Sequence, residues 1–202
     1  MRYLPTALAL ATLLAAPSLA YADCTADFAA VMQAYHDAGP RKVETELTFT
    51  TSKPGESSTR TSVAKIVLPD ALDLHSEDSG NRNHSDAILI GGKGFTKVDG
   101  GWTALPAEAV GELRMLFLAD GFMGEEPRNI QCLGGKKLGH KPVSVYSFEI
   151  PGSPKAMTVM FYVDTSTKRP LKANGIAAMQ AGGEDMKVSY TYDPKIKVVA
   201  PN

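Results

Sequence analysis

The chain has 202 residues, 21 basic against 22 acidic, a formal net charge of −1 and a mean hydropathy of −0.12. Near-neutral, interspersed charge argues against a nucleic-acid partner, which would call for a basic face. No segment approaches the roughly 20 apolar residues of a membrane-crossing helix.

Residues 1–22 read as a cleaved secretory signal of the Gram-negative type. Arg2 supplies the early charge, residues 7–16 form an Ala/Leu run, and Ala20-Tyr21-Ala22 is a small-x-small cleavage triplet. The mature chain then starts near Asp23, and residues 23–202 have the length of one domain with a substantial core. Cys24 follows Asp23 rather than Gly or Ala, which argues against a lipid-modified cysteine. The expectation is a soluble exported protein in a bacterial periplasm. Cys24 and Cys132 are an even count in an oxidising compartment, and the simplest reading is a disulfide between them. In the chain-entropy model, closing a loop of this length contributes about 4 to 5 kcal/mol. There is no Cys-x-x-Cys spacing to support redox catalysis.

After Cys24, "TADFAAVMQAYHDAGP" sets Phe28, Val31, Met32 and Tyr35 on one helical face, and Gly39-Pro40 stops the helix. "KVETELTFT" alternates Val43, Thr45, Leu47 and Phe49 with polar residues, the period of a half-buried strand. Further strands are expected in "TSVAKIVLP", "ALDLHS", "DAILIGG" and "GFTKVDG". After a helix at 105–123 they continue in "RNIQCLGG", "VSVYSFEI", "MTVMFYVD", "PLKANGIAAM" and "EDMKVSYTYDP". The turn signals between them leave no room for crossover helices, so the expected fold is mainly β (α+β), an antiparallel meander. "PKIKVVAP" alternates lysine with apolar residues as a protected edge strand does.

Residues 105–123, "LPAEAVGELRMLFLADGFM", carry more apolar surface than one buried stripe requires. Val110, Leu113, Leu116 and Phe117 form the stripe, with Pro106 suited to the first helical position and Glu108 to the first turn. Met115, Leu118, Phe122 and Met123 fall off it. Two readings remain open: the surplus fills the core, or the helix is a lid whose second apolar side faces a ligand.

Catalytic signals are weak. His75 and His84, with Asp73, Glu77, Asp78 and Asp86, could in principle ligate a divalent metal, but the segment also reads as two solvated strand ends around Ser79-Gly80-Asn81. His36 and His140 read as surface residues. Gly91, Gly92 and Gly94 fit a tight hairpin better than a phosphate loop, and no nucleophile or zinc motif is present in the sequence. The expectation is no enzyme, no cofactor, no metal and no catalytic residue.

The "DC" opening of the first helix, "ILIGGKGFTKVDGGWTALP", "IQCLGGKKLGHKPVSVYSFEI", "FYVDTSTKRPLKA" and "VSYTYDPKIKVVAP" together resemble the LolA-like periplasmic proteins. That group includes the lipoprotein carriers LolA and LolB and the RseB-type sensors. The resemblance implies a curved antiparallel sheet forming an open half-barrel, with helices covering its concave apolar side. It implies a non-enzymatic binding or carrier role for an apolar ligand, a lipid or a lipidated protein, with transient contact to a membrane or an envelope protein. The alternative is a protein-interaction or sensory module on the same fold. A lid at 105–123 over such a sheet would set Leu113, Met115 and Phe117 around a cavity with Phe49, Trp102 and Phe161.

Overall fold

Alternation along residues 41–51 makes an extended strand with two unlike faces. Val43, Thr45, Leu47 and Phe49 share one, and Lys42, Glu44 and Glu46 share the other. The same device recurs through the chain, and the computed structural model assembles the strands into one sheet. It describes residues 19–51, 56–80, 83–118, 126–151, 156–179 and 182–201. The elements are α1 (Leu19–His36), β1 (Arg41–Thr51), β2 (Ser57–Val67), β3 (Ala71–Asp78), β4 (Asn83–Ile90), β5 (Lys93–Val98) and β6 (Gly101–Ala104). Then come α2 (Ala107–Phe117), β7 (Arg128–Leu138), β8 (Lys141–Ile150), β9 (Met157–Asp164), β10 (Pro170–Met179) and β11 (Gly182–Tyr192). Of the expected signal segment, residues 1–18 lie outside the described residues, and α1 runs through the expected cleavage point.

The 11 strands pair antiparallel in the order β6-β5-β4-β3-β2-β1-β11-β10-β9-β8-β7. The chain therefore lays down one half of the sheet, crosses, and returns to close against its own first strand, with Val43 opposite Tyr190 and Leu47 opposite Met186. The two edges are β6 and β7, which are consecutive in sequence. Their connection carries α2 from one edge toward the other, which places a helix over one face of an open, curved sheet.

Two expectations about element ends are corrected. Pro106 is the N-cap of α2 (φ −64, ψ 154) rather than its first helical residue, since its extended ψ places it outside the helix. Residues 194–201 pair with no strand: Pro194 has no N–H to give a ladder, and Asp193 folds the chain into a turn by accepting from Lys195 N at 2.8 Å and Ile196 N at 3.1 Å. β11 is interior, between β1 and β10. The lysines of "PKIKVVAP" guard no edge.

The concave face carries two apolar clusters. Beneath α1, Phe28 and Val31 pack on Phe148, Val159, Phe161 and Met186, with the Phe28 and Phe148 rings 5.1 Å apart. Beneath α2, Val110 and Leu118 pack on Ala64, Ile66, Leu72, Leu74 and Leu89. Val43, on the central strand, touches both. The Cys24–Cys132 disulfide ties α1 to β7.

Candidate functional site

Between the two helices the sheet is left partly uncovered. α1 covers β8–β11 and α2 covers β2–β4, so the inward positions of β1 and its neighbours line a gap. It is a cavity of about 370 Å³. Its floor is Val43 and Leu47 on β1, Ile66 on β2, Leu74 on β3 and Met186, Val188 and Tyr190 on β11. Tyr35 closes it from α1, and Leu113, Leu116 and Phe117 close it from α2.

Register explains why the cavity is not uniformly greasy. On the concave face Val43, Ala64, Leu74 and Ala87 form one cross-strand row. The next row, two residues along each strand, is Thr45, Ser62, Ser76 and Ser85. Beyond it stand Leu47, Arg60 and Asp78. Burial follows this order along β2: Ile66 and Ala64 are each 2% exposed, Ser62 is half-buried and Arg60 is exposed. The cavity is thus apolar and closed at one end, polar and open at the other. At the open end Arg60 Nη2 donates to Asp78 Oδ2 at 3.3 Å.

Behind the closed end lies Arg41, 2% exposed. Its Nη1 donates to the Tyr35 carbonyl at 3.0 Å and its guanidinium carbon sits 4.0 Å from the Tyr35 ring centroid. Tyr35 in turn meets Tyr190 edge-on at 5.8 Å. Burial pushes the Tyr190 hydroxyl well above the usual phenol range, so it stays protonated at any physiological pH.

The sequence-derived candidates divide. Leu113 and Phe117 line the cavity. Met115 is 55% exposed on the outward side of α2, because one residue along a helix turns about 100° and carries it off the stripe. Phe161 is 1% exposed in the cluster under α1, beyond the cavity wall. Phe49 is half-buried near the far end of β1, opposite Ser58 and Glu184. Trp102 is half-buried on the edge strand β6, opposite Lys97. Phe122 and Met123 lie outside the described residues. The alternation that revealed the strands also held the signal for Thr45, Ser62 and Ser76, which occupy inward positions in otherwise apolar faces. Arg60 and Tyr35 as cavity groups, and Arg41 behind them, depend on register and helix placement.

His75, Glu77, His84 and Asp86 lie on the opposite, convex face, whereas Asp78 points to the concave side beside Arg60. His75 Nδ1 is 2.5 Å from Asp86 Oδ1 and its Nε2 is 3.3 Å from Glu77 Oε1, contacts that raise the imidazole's pKa. Among the described residues no group of three or more His, Cys, Asp and Glu side chains is arranged to hold a metal. A larger hollow of about 460 Å³ lies where α2 leaves β6, but it is open to solvent, with Lys93, Ala104 and Gly111 around it exposed.

No protein-family model and no curated protein matches this chain. Solved structures do. The lipoprotein LppX of Mycobacterium tuberculosis matches at a TM-score of 0.52 and 13% identity, over 84% of this chain and 97% of its own. LprF of Mycobacterium bovis matches at 0.51 and 12% identity, over 86% of this chain and 95% of its own. A LolA superfamily protein of Nitrosomonas europaea, 10% identical, covers 81% of this chain and 90% of its own at a TM-score of 0.35. The first two likenesses establish architecture alone: an open, curved antiparallel sheet with helices over its concave side.

Proposed function

We propose that the chain is a non-enzymatic periplasmic binding and carrier protein for an apolar or lipid-bearing ligand, held between α1 and α2. One observation carries the reading: the cavity of about 370 Å³, floored by Val43, Ile66, Leu74 and Val188 and roofed by Leu113 and Phe117. That volume falls at the lower end of the roughly 300–1,000 Å³ of small-molecule sites. Its apolar end, flanked by two well-packed clusters, is a place where an acyl chain would be removed from water.

The test is uptake of an environment-sensitive acyl probe by the purified mature protein. Phe117→Asp and Leu113→Asp should abolish uptake, because an unpaired charge in an apolar site costs several kcal/mol. Met115→Asp, on the same helix but facing water, should leave it intact. Leu47→Trp fills the cavity without charge and should block uptake in a protein whose unfolding midpoint is retained. A wild-type protein that takes up no probe overturns the reading.

A second reading rests on a separate observation. Met115 and Leu116 are 55% and 46% exposed on α2, an apolar pair suited to contact with a partner protein. If α2 serves an interaction or sensory module without lipid transport, Met115→Asp removes partner capture while the cavity variants do not.

A further inference from the structure

The cavity has a polarity, and it narrows the ligand. The tail end is the row of Val43, Leu74 and Tyr190 below Tyr35. Two residues further along each strand the apolar row gives way to the hydroxyls of Thr45, Ser62 and Ser76, side by side across β1, β2 and β3. Ser76 donates to the Thr61 carbonyl at 3.4 Å. Each hydroxyl also offers acceptor lone pairs. Among the described residues that line the cavity, the mouth beyond them carries one cation, and that cation is matched: Arg60 is bound to Asp78, whose side chain is 18% exposed against 54% for Arg60. One row further, Glu184 stands opposite Phe49 on the same face. An anionic head entering here would meet two carboxylates and displace an existing ion pair. An uncharged head that both donates and accepts hydrogen bonds would meet neither penalty.

The volume sets the number of chains. A methylene occupies roughly the 30 Å³ that a water molecule takes in the liquid. A cavity of about 370 Å³, shared between tail and head, therefore accommodates on the order of a dozen methylene-sized groups, which favours one short chain over two.

We infer that the ligand is a single-chain amphiphile with an uncharged polyol head, a monoacylglycerol in chemical class, bound tail-inward with its head on the Thr45–Ser62–Ser76 row. This inference rests on the binding reading above and assigns its substrate class. The tail fills the closed end, as apolar burial requires. The head's hydroxyls replace their water partners with the protein's at half depth, leaving no polar group stranded.

The experiment is displacement of the acyl probe from the mature protein by monolauroylglycerol, laurate at pH 8, dilauroylglycerol and dodecane. Monolauroylglycerol should displace best. Thr45→Val with Ser62→Ala should weaken it about tenfold, the worth of one to two hydrogen bonds, and leave dodecane unchanged. Asp78→Asn keeps an acceptor for the Gly80 N–H but removes the charge that matches Arg60, so it should shift preference toward laurate. Laurate outcompeting monolauroylglycerol in the wild type, dilauroylglycerol matching it, or a hydroxyl double variant that changes nothing would each overturn the inference while probe binding keeps the carrier reading intact. Failure of the probe itself to bind would instead overturn that reading.

Discussion

The Arg41 guanidinium stacks on the Tyr35 ring 4.0 Å from its centroid and donates to the same residue's carbonyl at 3.0 Å, so a buried charge on β1 is held by the last turn of α1. The Arg41 Nε is buried without a hydrogen-bond partner. This asymmetry gives a sharp expectation. Tyr35→Leu strips the cation of its aromatic face and loses the edge contact with Tyr190, and should cost about 2 to 4 kcal/mol in urea unfolding. Tyr35→Phe keeps the ring and should cost under about 1 kcal/mol. Arg41→Met removes the charge itself and should be close to neutral, because a buried ion is expensive to desolvate. Equal losses for Tyr35→Leu and Arg41→Met would show that the pair acts as simple packing.

The strands were legible because a sheet with one buried face writes period-two alternation into the chain, as in Val43, Thr45, Leu47 and Phe49. Which inward residues share a cavity was not. Phe49 and Leu47 look equivalent in that pattern, yet Leu47 lines the cavity and Phe49, one inward position further along β1, stands beyond it. Phe161 shows the converse: a fully buried aromatic whose row is sealed by Phe28 from α1. Gly94 read as a hairpin residue, whereas its lack of a side chain is required by a helix that arrives sixteen residues later in sequence, at Val110. Such assignments depend on where two helices cross the sheet, which no local spacing encodes.

The disulfide anchors one helix only. Cys24, 5% exposed, joins α1 to Cys132 on the edge strand β7. Cys24→Ser with Cys132→Ser should lower the unfolding free energy by up to about 4 to 5 kcal/mol, the entropic value for a loop of this length. Hydrogen exchange should rise first in α1 and β7, while β2–β4, held by their own ladders and α2, keep their protection. Uniform loss of protection across the sheet would contradict this division.

Acid should loosen α1 as well. Lys168 Nζ donates to Asp27 Oδ1 at 2.8 Å and the Tyr146 hydroxyl donates to Oδ2. Lys168 first, then Tyr146, holds the Asp27 carboxyl below the usual carboxylate range. Because the folded-state value is depressed, the stabilisation is complete above the unfolded value near 4 and is lost as pH falls from there through the folded value. The urea midpoint of the wild type should therefore fall more steeply below about pH 4 than that of Asp27→Asn. Parallel pH profiles for the two proteins would remove Asp27 from the account.

α2 has a seat, and it is a single missing methyl group. An ideal Cβ on Gly94 would lie 2.5 Å from Val110 Cγ2, 3.0 Å from Leu89 Cδ2 and 3.2 Å from Leu105 Cβ, so α2 approaches β5 as closely as it does only because residue 94 is glycine. The Leu105 N–H donates to the Gly94 carbonyl at 2.8 Å and fixes the chain just before the helix. Gly94→Ala should cost about 1 to 3 kcal/mol by overpacking. The strain is relieved by tilting α2, which draws Leu113 and Phe117 away from the cavity, so acyl-probe affinity should fall together with stability. Val110→Ala in the same chain deletes the methyl nearest the new Cβ. The double variant should recover affinity relative to Gly94→Ala alone, a favourable coupling that a thermodynamic cycle measures directly. A Gly94→Ala protein with wild-type stability and affinity would mean that α2 is seated elsewhere. Strict additivity in the cycle would mean that Gly94 and Val110 act independently of one another.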